Sequence, residues 1–213
     1  MAKKWTNRNL PGVLHFVTGN VLDRKPIFRH EKYCRAFLEE LQELRIKRQC
    51  KIIAFVLMTD HFHFIGNPKD DDIQTATGIL KSFTAKRIVS LAPSRAFLRN
   101  GENQVWQESF KSLALWSGWM IKQKIDYIHA NPVKDDLCKT ASEYPWTSFR
   151  SFYHGEPDPL FAIDKEWWWE GDEAKLTASV KQVEEKKREA LAEKIEDNRK
   201  KATDHYKTRF DCI

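Results

Sequence analysis

The chain has 213 residues, 41% of them hydrophobic and 31% charged, with 36 Lys+Arg against 30 Asp+Glu and a net charge of +6. That length fits one domain, or one domain with an appendage, and the apolar content is enough for a core, which excludes wholesale disorder. No run of about 18 uncharged apolar residues is present, so no transmembrane helix is expected. The start, Met1-Ala2-Lys3-Lys4-Trp5, shows no secretory segment, and four scattered cysteines without CxxC spacing fit a reducing cytoplasm rather than a zinc knuckle or a disulfide scaffold.

Residues 12–18 are β-branched and aromatic and predict a strand, followed by a loop to Pro26. From about Arg29 to Arg48, Tyr33, Phe37, Leu38, Leu41 and Leu44 recur at three and four, which predicts a helix. The run from Lys51 to Leu57 is continuously apolar after its lysine and predicts a central strand covered on both faces. Met58-Thr59-Asp60 is turn-like, and His61 to Gly66 alternates as the second strand of a hairpin. An acidic turn ends at Asp72, and a helix is expected from Ile73 to Leu91 with Ile79, Leu80, Phe83 and Ile88 inward. Pro93 to Gly101 predicts a loop, and Gln104 to Leu115 a fourth strand. A third helix is expected from Ser117 to Ala130, ending near Pro132 because proline disfavours helical geometry before it. The order β-α-β-β-α-β-α begins with the ferredoxin-like arrangement. The fold class is therefore α+β: an antiparallel sheet with two helices on one face and the third on the other.

Glu156-Pro157-Asp158-Pro159 marks a composition shift, which divides the chain into a domain over 1–155 and a helical extension over 156–213. Asp172 to Lys201 predicts a long accessory helix with a narrow apolar stripe and charges of both signs. Trp167-Trp168-Trp169 is the unusual feature of that extension. Aromatic rings interleaved with cations suit stacking on unpaired bases and neutralising phosphates.

Two spacings carry chemistry. His61 and His63 are two apart on an expected strand, so both imidazoles face one side and can chelate one divalent ion, while Phe62 and Phe64 face the core. Gln123, Tyr127 and Asn131 are four apart on the third helix and share a face, with Ile121, Ile125 and Ile128 on the other side as anchors. The helix face can thus look at the histidine face, which the sequence places on the open side of the sheet.

His61-Phe62-His63 after an apolar strand resembles the His-hydrophobic-His signature of the HUH nucleases. The segment from Asp126 to Lys134 (DYIHANPVK) is similar to the tyrosine segment of the single-tyrosine transposases. Tyr144 to Phe149 (YPWTSF) and Val105-Trp106-Gln107 resemble segments of one branch, the REP-associated tyrosine transposases, which are relatives of the smallest insertion-sequence transposases. The resemblance spans roughly residues 10–153. The family's usual lead-in, Met-Pro-Asn, is here Met58-Thr59-Asp60. Loss of the proline implies a looser turn, and Asp60 adds a carboxylate beside the histidines.

The resemblance implies metal-dependent cleavage and strand transfer on single-stranded DNA at palindromic hairpins. Tyr127 matches the nucleophile that forms a 5′-phosphotyrosine link. A phenol is almost wholly protonated at neutral pH, so it needs a metal that polarises the phosphate. His61 and His63 match the metal ligands, with Asn131 third by analogy. Mg²⁺ or Mn²⁺ suits that set, and the imidazoles tilt the preference toward Mn²⁺. DNA contacts are expected from Lys3, Lys4, Arg8, Lys81, Lys86, Arg87 and Arg95, and a monomer is expected, working on DNA in the cytoplasm. Three other readings compete. One is a non-catalytic hairpin-binding regulator of repeats, and another is a metal-dependent hydrolase that would leave Tyr127 unused. The third, an RNA-binding ferredoxin-like module, needs stacking aromatics on its open face, whereas Phe62 and Phe64 face the core.

Overall fold

Four strands pair as an antiparallel sheet in a computed structural model that describes residues 7–166 and, beyond them, single exposed helical positions between Ala178 and Asp197. They are β1 (Leu14–Asn20), β2 (Cys50–Leu57), β3 (His61–Pro68) and β6 (Lys111–Leu115), in the order β2-β3-β1-β6. Helices α1 (Glu31–Lys47) and α2 (Ile73–Leu91) cover one face, and α3 (Gly118–Lys134) covers the other. The expected α+β architecture is therefore present, with its ferredoxin-like strand order. Lys3, Lys4, Trp167-Trp168-Trp169 and most of the helix expected over 172–201 lie outside the described residues.

Periodicity explains the two layers. Tyr33, Phe37, Leu41 and Leu44 form the buried stripe of α1 and meet Phe55, Phe62 and Phe64 from alternate sheet positions. Gly19 lies opposite Phe62 across β1 and β3. A methyl group at Gly19 would collide with the Phe62 ring, so the absence of a side chain there lets that ring lie against the sheet. The second core lies under α3, where Ile121, Ile125 and Ile128 pack on Leu14, Ile53, Val56 and Ile65.

Four details differ from the sequence expectation. Phe83 is exposed, because the buried stripe of α2 runs Ile73, Ala76, Leu80, Thr84 and Ile88, which leaves Phe83 one position off. Only Lys111–Leu115 of the expected fourth strand pairs fully; Val105 and Trp106 fill the core from irregular chain, and Leu98–Arg99 (β4), inside the expected loop, pairs with Glu102–Asn103 (β5) just past it. The third helix runs through Pro132 to Lys134. Its last turn is tied by Asp135 N–H to the Asn131 carbonyl (3.0 Å) and Leu137 N–H to the Pro132 carbonyl (2.8 Å), and Pro132 is itself buried, which offsets the lost helix bond. Lastly, β2 is an edge strand in the sheet order rather than a central one.

That edge is closed by downstream chain. Leu57 N–H donates to the Trp146 carbonyl (2.8 Å), and Ser148 N–H donates to the Phe55 carbonyl (3.0 Å). Farther along β2, Ile52 N–H donates to Asp164 Oδ2 (2.8 Å), and Asp164 N–H donates to the Ile52 carbonyl (2.8 Å). Arg45 grips the same carboxylate with two bonds of 2.9 and 2.7 Å. Phe161 is fully buried, its ring 4.8 Å from that of Phe55. Packing therefore continues past the turn at 156–159, because an open β2 edge would leave its backbone groups unpaired. Truncation after Gly155 should destabilise the fold by about 3–5 kcal/mol, the usual cost of losing a buried aromatic. Urea denaturation of that truncation, of the chain ended after Glu166 and of Phe161→Ala checks this, and equal midpoints for the two truncations would contradict it.

Candidate active site

His61 and His63 project from the α3 face of β3, with ring centroids 4.8 Å apart. They are buried, at 7% and 4% exposure, rather than on an open face, because α3 roofs that side of the sheet. Each ring is held by one nitrogen. His61 Nδ1 bonds Asp60 Oδ1 (2.6 Å), and His63 Nδ1 bonds Thr18 Oγ1 (2.8 Å) across the β1–β3 pair. That fixes ring orientation and leaves Nε2 of each facing the site. His63 Nε2 is buried without a hydrogen-bond partner. An orphaned imidazole nitrogen beside a second imidazole is what a metal-binding pair needs, so these residues fit a divalent ion.

Asp60 acts on the ring rather than facing the site, since both its oxygens are engaged. Oδ2 takes Arg24 Nε at 2.8 Å. Arg24 and Asp23 both have left-handed backbone (φ 54°), uncommon for residues with a Cβ. The lead-in turn is not loosened by the missing proline. Val21 N–H donates to the Asp60 carbonyl (2.9 Å), Phe28 N–H to the Thr59 carbonyl (3.0 Å) and Met58 N–H to the His61 carbonyl (2.8 Å).

Tyr127 comes from α3, whose first turn is capped by Ser117, the Oγ accepting from Met120 N–H (3.3 Å). Its ring lies edge-on to His63, centroids 5.5 Å apart, and edge-on to Phe16 at 5.8 Å. It is 37% exposed, so solvent and substrate reach it. Farther along the helix, the Asp135 carboxylate is close enough to His61 to favour that ring's protonation. Asn131 stands one turn from each, buried, with Nδ2 donating to the Tyr127 carbonyl (2.8 Å). That bond uses Nδ2, so Oδ1 is the atom through which the amide could hold a metal. Among the described residues no three His, Cys, Asp or Glu side chains gather at one point.

Residues 13–131, from the start of β1 through Tyr127 to Asn131, match the family model described as "Transposase IS200 like". The chain belongs to the IS200-like transposase family. A REP-associated tyrosine transposase of Escherichia coli (strain K12) is 26% identical over 172 residues, covering 79% of this chain and 92% of that protein. The solved structure of a REP-associated tyrosine transposase bound to a REP hairpin has a TM-score of 0.59 at 22% identity, over 77% of this chain and 93% of that one, a likeness of fold. Family membership makes the chain an enzyme that acts on DNA, and no helix among the described residues is long and apolar enough to cross a membrane.

Within this family fold, the described basic residues among those singled out from sequence do not gather at the histidines. Lys81 is buried, its Nζ bonded to the carbonyls of Gln107 (2.7 Å) and Glu108 (2.9 Å), so it braces a loop instead of meeting DNA. Arg87 is paired with Glu39 and Glu40. Lys86 is exposed on α2, in the layer opposite α3, and Arg8 and Arg95 are exposed on irregular chain. Sequence reasoning passed over Thr18, Phe16, Lys124 and Lys134. Lys124 and Lys134 were findable, being near Tyr127 on its helix; Thr18 and Phe16 depend on strand register.

Burial holds His61 below the ordinary imidazole range and pushes His63 down to about 3. It also lowers His15 and His129, each to about 4. His129 Nε2 bonds Ser148 Oγ (2.9 Å) and so ties α3 to the chain that closes β2. The sign for stability follows. Unfolded histidines take up protons near pH 6.5, while His15, His63 and His129 stay neutral in the fold. Their contribution is present above that pH and is lost as pH falls toward 4. In chelator, unfolding at pH 5 should take up about three more protons than at pH 8. Denaturation midpoints across this range check it, and a flat profile between pH 7 and 5 would refute it.

Proposed function

We propose that this transposase cleaves and rejoins single-stranded DNA at palindromic hairpins through a covalent 5′-phosphotyrosine intermediate. The observation that carries the reading is the half-exposed Tyr127 ring packed against His63, beside an imidazole nitrogen that has no partner. The Tyr127 oxygen attacks a backbone phosphorus, its proton leaves, the bond from phosphorus to the 3′-oxygen breaks, and that oxygen takes up a proton. Attack by another 3′-hydroxyl reverses the step and rejoins strands without ATP. His61, His63 and Asn131 would hold Mg²⁺ or Mn²⁺, which when bound polarises the phosphate and neutralises its charge. Burial supports this by keeping both imidazoles in the neutral, ligating form. Helix α3 supplies rigidity, since three isoleucines lock it to the sheet while the phenol faces out.

A hairpin substrate is supported by the REP hairpin bound to the structural relative. A monomer is proposed, with the chain through Glu166 as the catalytic unit and the remainder as an accessory extension. Tyr127→Phe removes the attacking oxygen and keeps the ring. It should abolish the DNA–protein adduct on a denaturing gel while hairpin binding persists, and an adduct from the Phe variant would sink the assignment. A wild-type protein that binds hairpins and forms no adduct would instead favour the non-catalytic regulator. Asp60→Ala unties His61 and should weaken Mn²⁺ binding by about 10–100-fold in calorimetric titration. Unchanged affinity would mean that Asp60 does not support the ligand set.

A further inference from the structure

Tyr127 is bracketed by two ammonium groups. Lys124 and Lys134 stand three residues before it and seven after, within roughly 60° and 20° of its direction around α3. Each Nζ lies 5.3 Å from the Tyr127 ring centroid, and Lys124 Nζ also lies 5.1 Å from that of Phe16. Contact with ring faces holds a cation without consuming its N–H donors. The other lysine on this stretch, Lys122, is paired with Asp126 at 2.7 Å. Among the described residues no carboxylate pairs with Lys124 or Lys134. The acidic groups near this corner serve His61 instead: Asp60 is divided between His61 and Arg24, and Asp135 acts on His61. Lys124 is moreover half-buried. A partly desolvated ammonium whose donors are uncommitted is unfavourable until an anion reaches it.

We propose that Lys124 and Lys134 form a two-armed cradle for a backbone phosphodiester of single-stranded DNA, seating the strand across the Tyr127 ring. Lysine binds phosphate as a compact point charge, and two of them on either side of one ring fix a strand's path without reading its bases. The cradle rests on the reading above only in making Tyr127 the reacting group; that the enzyme acts on DNA stands on its family.

The test uses the full chain in chelator, so that no cleavage occurs, and a fluorescent oligothymidylate titrated across a salt series. Lys124→Gln and Lys134→Gln should each lower the slope of log affinity against log salt by about 0.7, and the double variant by about 1.4. Lys124→Arg and Lys134→Arg should restore the slope, whereas a structural role in ring packing would not move it. Lys122→Gln, outside the cradle, should leave it unchanged. Slopes in the double variant equal to wild type, or a fall no larger than that of Lys122→Gln, would overturn the proposal. Lys134 is exposed, so its variants keep the test valid if Lys124→Gln unfolds. Failure of the nucleophile reading would appear separately, as wild-type protein that forms no adduct with metal present.

Discussion

His61, Phe62, His63 and Phe64 follow one another on a single strand, and a strand sends alternate side chains to opposite faces. In β3 this alternation sorts two aromatics into the core beneath α1 and α2 and two imidazoles toward α3. The site depends on the register that β1 adopts beside it. Pairing Thr18 with His63 and Gly19 with Phe62 gives one histidine its orienting hydroxyl and makes room for the ring between the two histidines. A slip of one residue would turn the whole set over. Core packing and site geometry are therefore one constraint: the hydrophobic face of β3 fixes the register, and the register fixes the histidines.

Tyr127 is brought in by a separate layer. Ile121, Ile125 and Ile128 dock α3 on the sheet face opposite α1 and α2, and the side of the helix away from them carries Tyr127 with its two lysines. His129, buried two residues farther along α3, bonds Ser148 in the segment that closes the β2 edge. The Tyr144–Phe149 stretch thus has a mechanical role. It seals an edge strand and at the same time ties the tyrosine helix to the sheet. The same edge is finished by Asp164 and Phe161, which extends the folded unit beyond the polar turn at 156–159.

Electrostatics in the site run in opposing directions over a few ångströms. Burial keeps the two imidazoles neutral, Asp60 supports one of them from behind, and Lys124 and Lys134 put positive charge around the phenol. Positive charge at the rim thus stands over neutral imidazoles beneath.

Some of this was legible in the residues. Period two along β3 and period four along α3 determined which side chains share a face, because those repeats follow from backbone geometry alone. The motifs in their order were enough for the family. Other features needed the fold. That the histidines are buried depends on α3 lying over them, and that Lys81 braces a loop depends on where Gln107 and Glu108 come to rest. Nothing local in Thr18 or Phe161 marks the one as a partner of His63 and the other as core, since their partners lie 45 and 106 residues away. Pro132 reads as a helix stop by itself and is overridden by burial. The faces and the chemical inventory are set by the residues alone, because these repeat at short range. Which faces meet is settled by the folded chain, because long-range packing and hydrogen bonds select among contacts that local patterns leave equivalent.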